Sequence, residues 1–238
     1  MTAFPESLDV PHRHVTAADW DDIYIVGDPH GCLAELDALC TVLDLSDDDL
    51  LVFVGDLVRK GPDSKGVVDR VRAAPNMLTV RGNNEEKLLR GDKELDSLTD
   101  DDLAWIASRP VVITLPDTVV VHGGIDPRKP RADHSVEDFQ NTRSLAPGGS
   151  YDPPYWFEEY AGPERVFFGH TVLEAPIVRE HAVGLDTGCV YGGELTAYDW
   201  RADELIAVPA AETVVDRPDE KFLNPGQLAD TESPLATR

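Results

Sequence analysis

Six side chains able to hold a cation follow short apolar runs, one or two to a run. Asp28 and His30 follow residues 23–26, Asp56 follows residues 50–54 and Asn83 follows residues 77–80. His122 and His170 follow residues 119–121 and 166–168. Singly, such an aspartate reads as a helix cap and such a histidine as a hydrogen-bonded core residue. Their recurrence at five successive runs points instead to one shared task. A mixed Asp/Asn/His set suits borderline cations such as Mn²⁺, Fe or Zn²⁺. Six ligands exceed the need of one open catalytic ion and suit two ions about 3.5–4 Å apart that share a carboxylate. Such a pair lowers the pKa of a water between the ions and holds two oxygens of a phosphoryl group for in-line attack.

The elements that must position these residues can be read from the same runs. Each run is short, rich in β-branched residues and ended by a polar, glycine-containing knot, which is the pattern of a buried strand. Between the early runs lie helical periods. Leu33, Leu36, Leu39, Cys40 and Leu43 form one, and Val67, Val68 and Val71 form another behind an expected cap at Ser64. Residues 100–102 open a third, carrying Leu103 and Ile106 and stopped by Pro110. Alternating strands and helices imply an α/β fold with βαβ units and a largely parallel sheet. Ligand sites in such sheets lie beyond the carboxyl ends of the strands. After His170, residues 177–183, 184–186 and 194–198 read as short antiparallel strands, with Gly192-Gly193 as a hairpin turn. The expected organisation is a polar N-terminal extension over 1–20, a catalytic domain over 21–208 and an irregular, proline-bearing tail over 209–238.

Gly27-Asp-Pro-His-Gly31, Gly55-Asp56, Gly82-Asn83, His122 and Gly169-His170 together resemble the calcineurin-like metallophosphoesterases, most closely the phosphoprotein-phosphatase (serine/threonine phosphatase) branch. The stretches 55–64 and 184–193 are also similar to its dinucleoside-tetraphosphatase members. The resemblance spans about residues 23–200. It implies a four-layer α/β/β/α sandwich of two mixed sheets. It also implies two divalent ions, Mn²⁺ being favoured on family grounds and Fe or Zn²⁺ possible. Asp28 and His30 would hold the first ion, Asp56 would bridge, and Asn83, His122 and His170 would hold the second. Lys60 stands where the family has a phosphate-binding arginine, and Arg143 resembles its second phosphate clamp; Asn83 also faces the phosphate. The implied reaction is hydrolysis of phosphate monoesters by direct attack of a metal-bridging hydroxide. Substrates would be a phosphorylated protein, a small phosphate ester or a nucleotide.

Two motifs depart from the pattern. Gly-Asp-x-Val-Asp-Arg-Gly reads Gly55-Asp-Leu-Val-Arg-Lys-Gly61, and Gly-Asn-His-Glu reads Gly82-Asn-Asn-Glu85. Arg59 and Asn84 thus replace the Asp–His dyad whose histidine is the family's general acid. Asn84 donates a hydrogen bond but has no proton to deliver. A serine alkoxide leaving group needs that proton most, and a nucleotide phosphate needs it least. This raises an alternative, hydrolysis of the phosphoanhydride of a dinucleoside tetraphosphate, and keeps a third, a catalytically weakened binding module. His134 and His181 are the other candidate acids. Glu85 is expected to orient the Asn83 turn, and Arg81, just before that turn, to be either a phosphate contact or structural.

The chain of 238 residues carries 45 acidic and 21 basic side chains, a formal charge of −24, and only six of the bases are lysine. That charge excludes nucleic-acid backbone and anionic lipid as partners. Cys32, Cys40 and Cys189 fit no metal spacing and read as reduced thiols. With no signal peptide or apolar span, a cytoplasmic enzyme is expected. Self-repulsion of this size is relieved by concentrated salt, so a halophilic, haloarchaeal source is expected. Thermal melts in dilute and in multimolar KCl check this. The melting temperature is expected to rise with salt, and no gain would contradict the reading.

Overall fold

Alternate residues of each apolar run divide between two cores, and that division builds the molecule. The computed structural model describes residues 8–148 and 151–228. In chain order the early strands are β1 (His12–His14), β2 (Ile23–Val26), β3 (Leu50–Phe53), β4 (Met77–Thr79), β5 (Val112–Leu115) and β6 (Thr118–Val120). The later ones are β7 (Arg165–Phe168), β8 (Ile177–Val178), β9 (Ala182–Gly184), β10 (Glu194–Asp199) and β11 (Glu204–Pro209). The helices are α1 (Leu33–Val42), α2 (Ser64–Ala73), α3 (Asn83–Leu89), α4 (Asp100–Ala107), α5 (Val136–Asn141) and α6 (Trp156–Glu159).

One sheet has the order β11-β10-β2-β3-β4, with β2, β3 and β4 parallel. The other has the order β1-β5-β6-β7-β9-β8, with β6, β7 and β9 parallel. Both sheets are mixed, as expected. Ile23, Ile25, Leu50 and Val52 face Ile113, Val120, Phe167 and Val183 in a core between the sheets. The intervening Tyr24, Val26, Leu51 and Phe53 face Leu36, Leu39, Val67 and Val71 of α1 and α2. On the far side Val119, Val121, Val166 and Phe168 pack on Phe139, Trp156 and Phe157 of α5 and α6. Strands covered on both faces read as continuous apolar runs, and period-2 alternation sends successive residues to opposite layers. The result is the four-layer α/β/β/α sandwich.

Several local expectations need correction. The polar lead contributes a strand that the sequence reading lacked: β1 pairs in parallel with β5, and both His12 and His14 bond the Thr114 hydroxyl. The cap of α2 is Asp63, whose carboxylate accepts from the Gly66 N–H, and Ser64 is the first helical residue. Residues 177–183 are not one strand but parts of β8 and β9, a hairpin in which Arg179-Glu180-His181 turns the chain. Gly192-Gly193 is not a hairpin turn. Gly192, at φ +87°, closes the 3₁₀ turn Cys189–Tyr191, and the chain then crosses from one sheet to the other. β5 and β11 were not anticipated. The described part of the tail lies on the domain. Val214 and Val215 donate to the Val190 carbonyl, and Leu223 pairs with Leu173. Residues 229–238 of the expected tail lie outside the described residues. Among the described residues no helix is long and apolar enough to cross a membrane, and the three cysteines are free thiols.

Trp156 links this packing to the site. It is fully buried, stacks edge-on against Phe168 and donates from Nε1 to the Gly123 carbonyl, next to His122. Trp156→Ala is expected to cost about 3–5 kcal/mol, the range for large aromatic-to-alanine core changes. Urea unfolding monitored by circular dichroism measures it, and a cost under about 1 kcal/mol would contradict this placement.

Candidate metal centre

The carboxyl ends of two sets of parallel strands meet at one place. β2, β3 and β4 end just before Asp28, Asp56 and Asn83, and β6 and β7 end just before His122 and His170. The turns interlock through the backbone. His30 N–H donates to the Asp56 carbonyl, Gly31 N–H to the Leu57 carbonyl and Gly61 N–H to the His30 carbonyl. His30, Asp56 and His170 each adopt positive φ, at +47°, +52° and +63°. Left-handed backbone costs a non-glycine residue about 1–2 kcal/mol, so it persists only where the surroundings enforce it. Close approach also dictates glycine nearby: a Cβ on Gly82 would lie 2.2 Å from Asp56 Oδ1, and one on Gly169 would lie 1.9 Å from Asp28 Oδ1.

All six expected ligands converge. Asp56 lies between two histidines, with Oδ2 3.6 Å from His30 Nε2 and Oδ1 3.4 Å from His122 Nε2. Asn83 Oδ1 is 3.3 Å from His122 Nε2. The His122 and His170 rings are 5.1 Å apart, and His170 N–H donates to Asp28 Oδ2 at 3.1 Å. One donor atom each from Asp28, Asp56 and His122 falls within a 4.8 Å cluster.

The donors suit cations on three counts. His30 Nδ1 pairs with the Val58 carbonyl at 3.2 Å and His122 Nδ1 with the Val54 carbonyl at 2.9 Å, which leaves Nε2 of each facing the centre. Asp28 Oδ1 is buried without a hydrogen-bond partner. The charges also call for compensation. Burial, with Asp186 and Asp56 adding to it, pushes the Asp28 carboxyl well above its usual range, while His122 pulls the other way. Burial lowers the His122 pKa, but Asp56 and Asp28 outweigh it and raise it to about 9. A cation bound there would compensate the same carboxylates.

The surrounding residues hold this geometry. Glu85 is buried and accepts from the N–H groups of Asp56, Val58 and Gly82 at 2.8–3.2 Å, tying the second and third turns together. Burial, and then Asp56, pushes its pKa up to about 7. Arg59 and Asn84 do interact as one unit: the guanidinium donates to Asn84 Oδ1, and the Asn84 amide donates to Asp56 Oδ2. Asn84 N–H also donates to Asp56 Oδ1 at 2.9 Å. Lys60 Nζ lies 2.7 Å from His30 Nε2. Arg143 donates to the His170 carbonyl at 2.8 Å and to Thr171 Oγ1 at 3.2 Å. Arg81 donates to the Ala107 carbonyl, a structural contact. His134 bonds Asp126 N–H and the Pro130 carbonyl and stacks on Phe139. His181 lies beside Glu180.

One buried carboxylate here was not anticipated. Asp186 follows β9 just as Asp28 follows β2, and β9 runs parallel to β7. The strand-end rule would have found it had residues 182–184 been read as a parallel strand.

The family profile for calcineurin-like phosphoesterases matches residues 22–207. The asymmetrical bis(5'-nucleosyl)-tetraphosphatase PrpE of Halalkalibacterium halodurans is 31% identical over 84% of this chain and 97% of its own. The symmetrical bis(5'-nucleosyl)-tetraphosphatase of Pectobacterium carotovorum is 29% identical over 74% of this chain and 91% of its own. A crystal structure provisionally named a diadenosine tetraphosphatase superposes with a TM-score of 0.75 at 31% identity, covering 84% of this chain and 98% of that one.

Glu85 holds three N–H groups without facing the centre itself. Glu85→Gln turns an amide N–H₂ toward donors and should weaken divalent-ion affinity by about 10–100-fold, the usual loss for such supporting residues. Competition with a chromogenic chelator measures it, and unchanged affinity would contradict the role.

Proposed function

The chain belongs to the calcineurin-like phosphoesterase family, and on that footing we propose that it hydrolyses the phosphoanhydride chain of dinucleoside tetraphosphates. The observation that carries this reading is the Arg59–Asn84–Asp56 chain of hydrogen bonds. Arg59 donates to Asn84 Oδ1, so the amide N–H₂ points at Asp56 Oδ2 and at Asn83 Oδ1. It has no proton to release. General acid catalysis contributes about 10²–10⁴-fold. A serine alkoxide forfeits that factor, whereas a nucleotide phosphate leaves as a stable anion without it. The named tetraphosphatases among the relatives support this reading over the phosphate-monoester one.

In this reading Asp28 and His30 would hold one divalent cation, Asp56 would serve both, and Asn83, His122 and His170 would hold the second, with Mn²⁺ the ion proposed. When bound, the cations supply Lewis-acid charge for activating water and drawing in phosphoryl oxygens. The chain does the rest. Val58 and Val54 carbonyls fix the tautomers of His30 and His122. Glu85 holds the Asp56 turn. Lys60 and Arg143 stand beside His30 and His170 and offset phosphate charge, Arg143 as a planar fork and Lys60 as a point charge.

Full-length protein given Mn²⁺ in concentrated KCl and offered diadenosine tetraphosphate, p-nitrophenyl phosphate, and phosphoserine and phosphotyrosine peptides tests the reading. The highest kcat/KM is expected on the tetraphosphate and the lowest on phosphoserine. Equal rates on the two peptides, or none on the tetraphosphate, would overturn it. Asp56→Asn should abolish turnover without altering the circular dichroism spectrum. Asn84→His combined with Arg59→Asp should raise phosphoserine turnover, and no change would break the correspondence with the acid dyad.

A further inference from the structure

Beyond Lys60 and Arg143 the site continues as a row in which cations alternate with tyrosine rings. Lys60 Nζ lies 5.3 Å from the centre of the Tyr191 ring. Arg217 stands 4.8 Å from that ring on its other contact and 5.6 Å from the ring of Tyr151. Arg143 lies 4.2 Å from the Tyr151 ring. The order is therefore Lys60, Tyr191, Arg217, Tyr151, Arg143, and both ends of the row are the phosphate-facing residues already placed at the centre.

Arg217 comes from the tail, outside the span matched by the family profile. Its guanidinium donates to Tyr151 Oη at 2.6 Å, to Tyr191 Oη at 3.3 Å and to the Lys221 carbonyl at 3.1–3.2 Å. All of these partners are neutral. Among the described residues no carboxylate forms an ion pair with Arg217, Arg143 or Lys60, in a chain with 45 acidic side chains against 21 basic ones. Surface arginines elsewhere do find one, as Arg90 finds Glu137 and Arg165 finds Asp203. Lys60, exposed, and Arg143 and Arg217, partly buried, form no direct ion pair with a carboxylate among the described residues and are joined through two tyrosine rings, an arrangement suited to an anion with several charges in a line.

We propose that Arg217 is a specificity-determining residue: the third cation of this row, it binds phosphates beyond the one being hydrolysed and so selects a polyphosphate chain over a single phosphate. The inference rests on the function proposed above and adds the residue that would set its substrate class. Lys60 and Arg143 serve the reacting phosphoryl group. Arg217, one tyrosine further from each, serves the next phosphates along. The two tyrosines hold the guanidinium in place, so little side-chain entropy is lost when the chain binds.

The test is calorimetric binding to Mn²⁺-saturated full-length protein of two non-hydrolysable probes, the methylene-bridged analogue of tripolyphosphate and methylphosphonate. The wild type should bind the triphosphate analogue more tightly. Arg217→Ala should cut the ratio of the two affinities by about tenfold, the scale of one lost charge-assisted hydrogen bond. Arg217→Lys separates recognition from pinning of the tail: it keeps the charge but loses the fork to the tyrosines and Lys221, and should retain most of the ratio. A wild-type ratio near one, an unchanged ratio in Arg217→Ala, or Arg217→Lys behaving as Arg217→Ala would each overturn the proposal. The substrate panel on the wild type reports separately on the underlying function, because it does not involve Arg217.

Discussion

A carboxylate withdrawn from water costs several kcal/mol unless positive charge or hydrogen bonds offset it. Asp28, Asp56, Glu85 and Asp186 are all almost fully buried around one point. Four such groups in one pocket are tolerable only with compensation built around them, and much of the surrounding structure supplies it. Backbone N–H groups of Asp56, Val58 and Gly82 serve Glu85, the Asn84 N–H and amide serve Asp56, and the His170 N–H serves one oxygen of Asp28. The other oxygen of Asp28 has no hydrogen-bond partner. Divalent cations would supply the remaining charge, and the Nδ1 pairings of His30 and His122 with Val58 and Val54 turn their Nε2 atoms toward the place such ions would occupy.

The sandwich is the means of bringing those groups together. One sheet delivers Asp28, Asp56 and Asn83 on three adjacent parallel strands, and the other delivers His122 and His170 on two. Neither sheet alone holds a full ligand set. The inter-sheet core of Ile25, Val52, Val120 and Phe167 therefore fixes the distance between the two halves of the site. The packing that stabilises the fold thus also holds the site's geometry, which is why His30, Asp56 and His170 can be sustained at positive φ.

Most of this was legible from the chain. Continuous β-branched runs ended by glycine marked the strands because both faces are buried, and the convergence of six metal-competent side chains followed from the ends of those runs. The paired change at Arg59 and Asn84 was legible because two coupled positions changed together, and the side chains do hydrogen-bond. What escaped was structure held by distant contacts. β1 is three exposed polar residues placed by edge pairing with β5 and by the Thr114 hydroxyl, about 100 residues away in the chain. Asp186 was hidden by a misread strand direction. Arg217 sits in a proline-bearing stretch without periodicity, and its place beside Tyr151 and Tyr191 depends on the tail folding back over the domain.

The account turns on Asp56 as one carboxylate shared by two ions. Low-temperature electron paramagnetic resonance during Mn²⁺ titration tests that most directly, because spins bridged by a common ligand couple and isolated spins do not. The account predicts two ions per chain at saturation with the spectrum of a coupled pair, and loss of the coupling in Asp56→Asn. Saturation at one ion per chain, or two ions with the spectrum of isolated Mn²⁺, would contradict it.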